Sequence, residues 1–291
     1  MSRPSSKTRT RIQSIESGSV SERTDFLATE EPLEIRLVVG PEWRTVAVTM
    51  RTPGADFELA TGFLHGEGVV ARQDQIRQIS YCTDPEVDAE QQFNIVNVEL
   101  SLSGMPDLRA LERYSFTSSS CGVCGKASLD ALSLDGHEPI PFGLEVTSGV
   151  IGSLSDKLRD AQGIFESTGG LHAAALFSQE GDLQTVREDV GRHNAVDKLI
   201  GRALLEGRLP LSDAILMVSG RSSFEIMQKA LAAGIPMVCA VSAPSSLAVE
   251  LARAFDITLI GFLRGERFNV YSGSRRVRAA RPDPAAASPA R

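Results

Sequence analysis

The strongest constraint on the fold is a regular alternation of strand and helix patterns in the last third of the sequence. Three short runs, AILMVSG, IPMVCAV and ITLIGFL, are apolar throughout, and they are separated by the amphipathic segments SSFEIMQKALAAG and SSLAVELARAF. Strands without polar alternation are typical of a parallel sheet that is buried on both faces. The pattern therefore predicts a β-α-β-α-β unit with helices covering the sheet.

The preceding part of the sequence has a different pattern. LEIRLVVG and WRTVAVTM are typical of two strands joined by a hairpin at GPE, and PGADFELATGFLHGEG and FNIVNVEL favour a helix and a further strand. We predict an α+β domain with an antiparallel sheet over residues 25–112, a mobile loop over 113–128, and the α/β domain over 129–273. The remaining residues, 1–24 and 274–291, are rich in Ser, Thr, Arg, Pro and Ala and are predicted to be disordered tails.

Composition and charge exclude several classes of protein. The chain has 291 residues, 42% of them hydrophobic, and a formal net charge of −7. An acidic chain is a poor match to a nucleic-acid surface, which needs clustered basic residues. No apolar stretch is long enough to span a bilayer, and no apolar core follows the basic N-terminus. We therefore expect a cytoplasmic protein that binds neither nucleic acid nor membrane.

The segment SSSCGVCGKAS contains a pair of cysteines, Cys121 and Cys124. In a reducing compartment such a pair is more often catalytic or metal-binding than a structural disulfide. A CxxC turn at a helix start lowers the pKa of its first cysteine, and Lys126 adds positive charge, so Cys121 is predicted to be the reactive sulfur. A mobile loop that carries a group on sulfur is the favoured interpretation. Dithiol exchange, a structural role and zinc binding stay open.

A zinc site needs further ligands that the sequence does not group together. The chain has no second CxxC pair and no HxxxH motif, and its histidines are scattered. The best case for zinc is His65-Gly66-Glu67, which spells the HxE part of a deaminase signature. Of the other two cysteines, Cys239 lies within an apolar run and Cys82 ends a mixed segment, and both are predicted to be core residues.

Two strand-to-helix junctions in the last third are candidate binding loops. VSGRSSFE and VSAPSSLAVE place serines where a strand ends and a helix begins, which is where open α/β sheets bind ligands and where helix starts attract phosphate. Plain helix capping by serine is the alternative. The binding residues predicted here are Ser219, Gly220, Arg221, Ser222 and Ser242.

Two histidine-containing segments are further candidates. TGGLHAAAL carries His172 after a glycine pair, and REDVGRHNAVDK surrounds His193 with charged and amide side chains. A lone histidine is more often a hydrogen-bonded core residue, and a salt-bridged, capped helix start would also explain the second segment. We nevertheless predict that both histidines belong to the binding site.

The ordered set of these motifs resembles one known family. CGVCG, TGGLHAAAL, EDVGRHNAVDKLIG, SGRSSFEIMQKA, AVSAPSSLAVELA and ITLIGFLRGERFNVY closely resemble the formate dehydrogenase accessory sulfurtransferase family (FdhD) over about residues 28 to 272. The resemblance implies a three-layer α/β/α domain like cytidine deaminase, with a smaller N-terminal α+β domain, and a homodimer. It also implies that Cys121 bears a persulfide, with Cys124 as its partner.

The resemblance further implies a donor, an acceptor and a binding segment. Sulfur from a cysteine desulfurase would pass to the molybdenum cofactor, a bis(molybdopterin guanine dinucleotide), before the cofactor enters formate dehydrogenase, and no permanent metal is expected. The cofactor-binding segment FLRGER corresponds to Phe262, Leu263, Arg264, Gly265, Glu266 and Arg267. The alternatives are a non-catalytic chaperone for this cofactor and a zinc hydrolase of the deaminase type.

Overall fold

The computed structural model describes residues 4–89, 91–108 and 136–279. The strands are β1 (Lys7–Glu16), β2 (Ser19–Ala28), β3 (Glu31–Val39), β4 (Glu42–Arg51), β5 (Ile76–Tyr81), β6 (Ile95–Leu100), β7 (Val146–Thr147), β8 (His172–Phe177), β9 (Leu183–Asp189), β10 (Ile215–Val218), β11 (Met237–Ala240), β12 (Thr258–Arg264), β13 (Arg267–Ser272) and β14 (Val277–Arg278). The helices are α1 (Asp56–Gly66), α2 (Ser148–Asp160), α3 (Gly163–Thr168), α4 (Arg192–Leu205), α5 (Phe224–Ala232) and α6 (Ser246–Ala254).

A six-stranded sheet in the order β13-β12-β11-β10-β8-β9 forms the centre of the larger domain. Strands β10, β11 and β12 are parallel, as the apolar runs predicted, while β8, β9 and β13 pair antiparallel to their neighbours. Helices α4, α5 and α6 pack on one face and α2 packs on the other. The predicted three layers are therefore confirmed. They also explain why the central strands are apolar throughout, since both of their faces are buried.

The smaller domain contains a four-stranded sheet in the order β4-β3-β6-β5. The predicted β3–β4 hairpin, the helix α1 and the strand β6 are all present. The prediction of an antiparallel sheet is wrong at its centre, where β3 and β6 run parallel. Strands β3 and β6 carry the most apolar inward faces, so both lie in the middle of the sheet against α1, and their apolar pattern does not specify the direction in which they run.

The prediction of a disordered N-terminal arm over residues 1–24 is wrong for the part that the structure describes. From Lys7 to Ala28 the chain forms a regular antiparallel hairpin, β1 with β2. Its two-residue turn, Ser17 and Gly18, has φ values of 48° and 83°, which match the twist of the flanking strands. The composition is polar, but its alternating Thr and Ile residues favour strands.

The prediction of a disordered tail from residue 274 is also wrong for the part that the structure describes. Arg276 is fully buried, and its guanidinium donates to the backbone oxygens of Asp256 (2.7 Å) and Ile140 (3.1 Å). The following strand β14 pairs with β7. A basic run is held in the fold because its charge finds carbonyl and carboxylate partners. Residues 280–291, like the CxxC loop, lie outside the described residues.

The two domains meet through a close helix crossing between α1 and α4. A Cβ atom on Gly62 would lie 1.9 Å from the backbone oxygen of Asp197, and one on Gly201 would lie 1.9 Å from that of Glu58. Only glycine permits two backbones to approach so closely. Among the described residues, no helix has both the length and the apolar character needed to cross a membrane.

Candidate functional site

The candidate site lies at the carboxyl edge of the parallel strands. The loops after β10 and β11 are joined there, because Ser245 N donates to Ser222 O (3.0 Å) and Ser222 forms a β-bridge with Pro244. Strand β8 runs antiparallel to β10, so its first residue, His172, lies beside the end of β10. The sheet topology thus brings together the predicted loop residues and this histidine.

Two helices begin at this edge, and the serines before them behave differently. Ser245 caps α6 by accepting a hydrogen bond from Ala248 N (3.2 Å). The alternative of plain serine capping does not hold for α5, because the hydroxyl of Ser223 makes no capping bond and lies 3.0 Å from Nε2 of His193. The first turn of α5 therefore keeps backbone N–H groups available for an anion.

Two buried polar atoms at this edge have no hydrogen-bond partner within the described residues. One is Oγ of Ser222, a residue that is fully buried, and the other is Nε of Arg192 in the first turn of α4. A buried polar atom without a protein partner is costly unless an ordered water, an ion or a ligand supplies the missing hydrogen bond. Together with the start of α5 and the exposed Arg221, these two donors form an edge that suits an anionic group.

His172 borders the same loop. A Cβ atom on Gly220 would lie 3.4 Å from Nδ1 of His172, so the absence of a side chain there makes room for the ring. Burial lowers the pKa of His172 below its usual value, and the nearby charges of Arg192 and His193 lower it further. The imidazole is therefore held neutral, and it can accept or donate a hydrogen bond.

His193 is held by two partners on a single nitrogen. Its Nε2 lies 3.0 Å from the hydroxyl of Ser223 and 2.7 Å from Oε2 of Glu225. The hydrogen bond from His193 lowers the pKa of Glu225, so this carboxylate stays charged. A Ser-His-Glu relay would need the two partners on opposite ring nitrogens. The three side chains therefore do not form the relay of a serine hydrolase.

Three residues at this edge, Ser223, Glu225 and Arg192, were not among the predicted site residues. The only signal was position, since all three lie within the first turn of α5 or α4 or directly before it. Ser219, which was assigned, has a structural bond as well: its Oγ accepts from Ala173 N (2.9 Å) and so fastens β8 to the loop after β10.

The predicted cofactor segment is divided by the structure. Phe262 is exposed, and its N–H donates to Ser242 O (3.2 Å), which places it and Ser242 at the edge of the site. Leu263 is fully buried against the layer that contains α2, so its assignment as a binding side chain is corrected to a core anchor. The tight turn at Gly265 approaches α2, where a Cβ on Gly152 would lie 3.0 Å from Gly265 O. The charged residues Arg264, Glu266 and Arg267 are exposed in this turn.

The polar cluster around His193 serves two purposes. Asp189 is fully buried, and its carboxylate accepts from Lys198 Nζ (2.6 Å) and from the backbone N–H groups of Thr52 (3.2 Å) and Gly191 (2.8 Å). Thr52 belongs to the smaller domain, so this network joins the domains. The same network also holds Gly191, the residue directly before Arg192, at the start of α4.

Neither the HxE motif nor the cysteines within the described residues form a metal site. Both ring nitrogens of His65 face backbone oxygens, those of Val70 (2.9 Å) and Ala232 (3.1 Å). His65 is thus engaged by the fold, which removes the best case for a zinc hydrolase. Cys82 and Cys239 are buried as predicted, and burial raises the pKa of the Cys239 thiol. In the described ranges no three potential metal ligands lie together, while Cys121 and Cys124 lie outside those ranges.

The comparisons with known proteins agree on one family. The family model described as FdhD/NarQ matches residues 28–278. "Sulfur carrier protein FdhD" of Streptomyces avermitilis is 53% identical over 276 residues, covering 92% of this chain and 95% of the relative. The protein of the same name from Mycobacterium tuberculosis is 49% identical over 271 residues, covering 92% and 97%.

A solved structure shows the same fold. The crystal structure of a putative formate dehydrogenase accessory protein from Desulfotalea psychrophila matches with a TM-score of 0.70 and 26% identity, covering 93% of this chain and 99% of that one. The sequence matches extend over nearly the whole chain, and the structural match covers both domains described above. The chain therefore belongs to the FdhD/NarQ family.

Proposed function

We propose that this protein is a sulfur carrier that serves the maturation of formate dehydrogenase. Cys121 accepts a persulfide sulfur from a cysteine desulfurase in the cytoplasm, and the protein delivers it to the molybdenum cofactor, a bis(molybdopterin guanine dinucleotide), before that cofactor enters the enzyme. The family membership and the names of the relatives support the coarser role. We further propose that the protein works as a homodimer.

The observation that carries this proposal is the pair of unpartnered buried donors at the carboxyl edge of the sheet. Ser222 Oγ and Arg192 Nε lie where α5 and α4 begin, and a guanine dinucleotide offers phosphate oxygens to such groups. His172 and Phe262 border the same edge with an uncharged ring each, which suits an aromatic base or pterin. A nucleotide-bearing acceptor thus accounts for groups that the fold itself leaves unused.

The chemistry of the cysteine pair can be written with atoms and electrons balanced. The Cys121 thiolate attacks the outer sulfur of the donor persulfide, a new S–S bond forms, and the donor cysteine leaves as a thiolate. Cys124 then attacks Sγ of Cys121 as a thiolate, which forms a Cys121–Cys124 disulfide and releases the outer sulfur as sulfide to the acceptor. A cellular dithiol reduces the disulfide and restores the carrier.

The test of the carrier role is intact-protein mass spectrometry after incubation with a cysteine desulfurase and cysteine. We expect a gain of one sulfur atom that a thiol reductant removes and that Cys121→Ala abolishes. Cys82→Ala is the matched control, because Cys82 is buried in the fold and should leave the gain unchanged. A folded protein that takes up no sulfur from a competent desulfurase would refute the carrier role.

A second measurement separates the carrier from a non-catalytic chaperone. Guanosine diphosphate is the probe for the nucleotide part of the acceptor, and its binding is measured by calorimetry. A carrier binds the probe and loses formate dehydrogenase maturation in Cys121→Ala. If Cys121→Ala binds the probe and still supports full maturation, the chaperone role replaces the carrier role.

A further inference from the structure

The hairpin β1–β2, which we call the arm, is largely exposed to solvent. Its two strands are ten residues long and pair only with each other. At its base the arm touches its own chain, where Lys7 Nζ donates to Gly163 O (3.4 Å). An isolated two-stranded hairpin is marginally stable in water. The arm therefore has unused capacity to pack against something else.

The two faces of the arm differ in chemistry. In the observed register, Arg9 lies opposite Phe26, Arg11 opposite Thr24, Gln13 opposite Glu22, and Ile15 opposite Val20. Because side chains alternate along a strand, all of these residues lie on one face, which we call the basic face. Beyond the base of the arm every residue of the basic face is exposed, including Ile15 at 72% and Val20 at 63%. The basic face thus combines cations with an apolar tip.

The opposite face has no such combination. It presents Thr8, Thr10, Ile12 and Ser14 from β1 and the exposed Leu27 from β2, and its one arginine, Arg23, is outnumbered by Glu16 and Asp25. Several of its residues are partly buried within the ribbon. The basic face therefore has a positive balance, with Lys7, Arg9 and Arg11 against Glu22, whereas the opposite face has a negative one.

We propose that the basic face of the arm docks on a second copy of this chain. Charge complementarity supports this occupant: the arm holds four basic and three acidic residues, while the whole chain has a net charge of −7, so the remainder of each copy is strongly acidic. Opposite potentials favour association and fix orientation. A two-fold exchange, in which each copy's arm lies on the other's body, uses the same surface twice and closes the dimer.

The area of the arm is sufficient for such a dimer. The exposed part of each strand is about eight residues, or about 27 Å, and a two-stranded ribbon is about 10 Å wide. Each arm then covers about 270 Å² on its partner, and a reciprocal exchange buries about 1,100 Å² in total, which is above the roughly 1,000 Å² expected of a specific interface. This arrangement rests on the homodimer proposed above and names the surface that forms it.

The test is the dimer dissociation constant, measured by sedimentation velocity at low and at high salt. Arg11→Glu reverses one charge on the basic face and should weaken the dimer by about tenfold or more. Arg23→Glu makes the same change on the opposite face of the same arm and should leave the dimer intact. A second variant, Ile15→Ser, removes the apolar tip without changing charge and should also weaken association. Circular dichroism confirms that each variant stays folded.

The possible outcomes test the inference about the arm separately from the proposal of a homodimer. If the wild-type protein is a dimer that salt weakens and only the basic-face variants dissociate, the arm is the interface. If Arg11→Glu and Ile15→Ser leave the dimer unchanged, or if Arg23→Glu weakens it equally, the arm inference is overturned while the homodimer stands. A monomeric wild-type protein overturns both.

Discussion

The buried pair of Asp189 and Lys198 allows a quantitative test of how the domains are joined. Asp189→Asn replaces one carboxylate oxygen by an NH₂ group. In either orientation of the amide, this NH₂ group faces two hydrogen-bond donors. On one side these are Thr52 N and Lys198 Nζ, and on the other Gly191 N and Asn194 Nδ2. The substitution also leaves the Lys198 charge buried without its counterion.

The expected cost follows from that burial. The side chains of Lys198 and Asp189 are 2% and 0% exposed, and removing one partner of a buried ion pair typically costs about 3–5 kcal/mol. Because many domains unfold with a free energy of about 5–15 kcal/mol, Asp189→Asn should remove a large share of the stability. Urea denaturation followed by circular dichroism measures this change.

A double-mutant cycle refines the test. Lys198→Met keeps the length of the side chain and removes the charge, so Asp189→Asn with Lys198→Met should cost about 2 kcal/mol less than the sum of the single variants. Asp74→Asn is the control, because its ion pair with Arg72 is solvent-exposed and should leave the unfolding midpoint unchanged. A loss below about 1 kcal/mol in Asp189→Asn, or strictly additive costs, would refute the reasoning.

Three further changes have defined outcomes. Gly201→Ala should destabilise the protein by more than about 3 kcal/mol in thermal unfolding, because the added methyl group meets backbone atoms at the α1–α4 crossing. The control Gly149→Ala places its methyl group in open space and should be neutral. Equal effects of the two substitutions would contradict the crossing. Ser222→Ala should preserve stability and weaken guanosine diphosphate binding in calorimetry, because the Ser222 hydroxyl has no partner in the described residues. An unchanged affinity would show that this hydroxyl does not belong to the site. The pKa of His172 is lowered in the folded protein, so the unfolded chain binds the proton first as the pH falls below about 6.5. The free energy of unfolding should therefore decrease in that pH window, and His172→Gln should flatten the decrease. NMR titration should place the pKa of His172 below the usual value.

Local patterns predicted most of the elements and part of the site. The apolar runs that became β10, β11 and β12, and the serines that follow β10 and β11, are short-range features with one favourable arrangement in a covered parallel sheet. The N-terminal arm was missed because its composition is polar. A hairpin depends on register and turn geometry, which composition does not report.

The sequence could not predict which polar residues hold the fold together and which line the candidate site. REDVGRHNAVDK contains Asp189 and Lys198, which bind the domains together, and His193, which lies at the carboxyl edge of the sheet. The sequence places these side chains close together along the chain. Which way each one faces depends on where α1 crosses α4, and that crossing is fixed by a contact between residues more than a hundred positions apart.

The sequence by itself determined the class of fold, the family motifs and the chemistry available at the cysteine pair, because these depend on residue type and on spacing within a few turns of chain. The tertiary structure alone decided that Leu263 is a core anchor, that Ser223 binds a histidine instead of capping α5, and that Ser222 is left without a partner in the described residues. The physical reason is that burial and hydrogen-bond satisfaction are properties of the packed chain. Both depend on contacts between segments that are distant in the sequence, and local sequence does not specify those contacts.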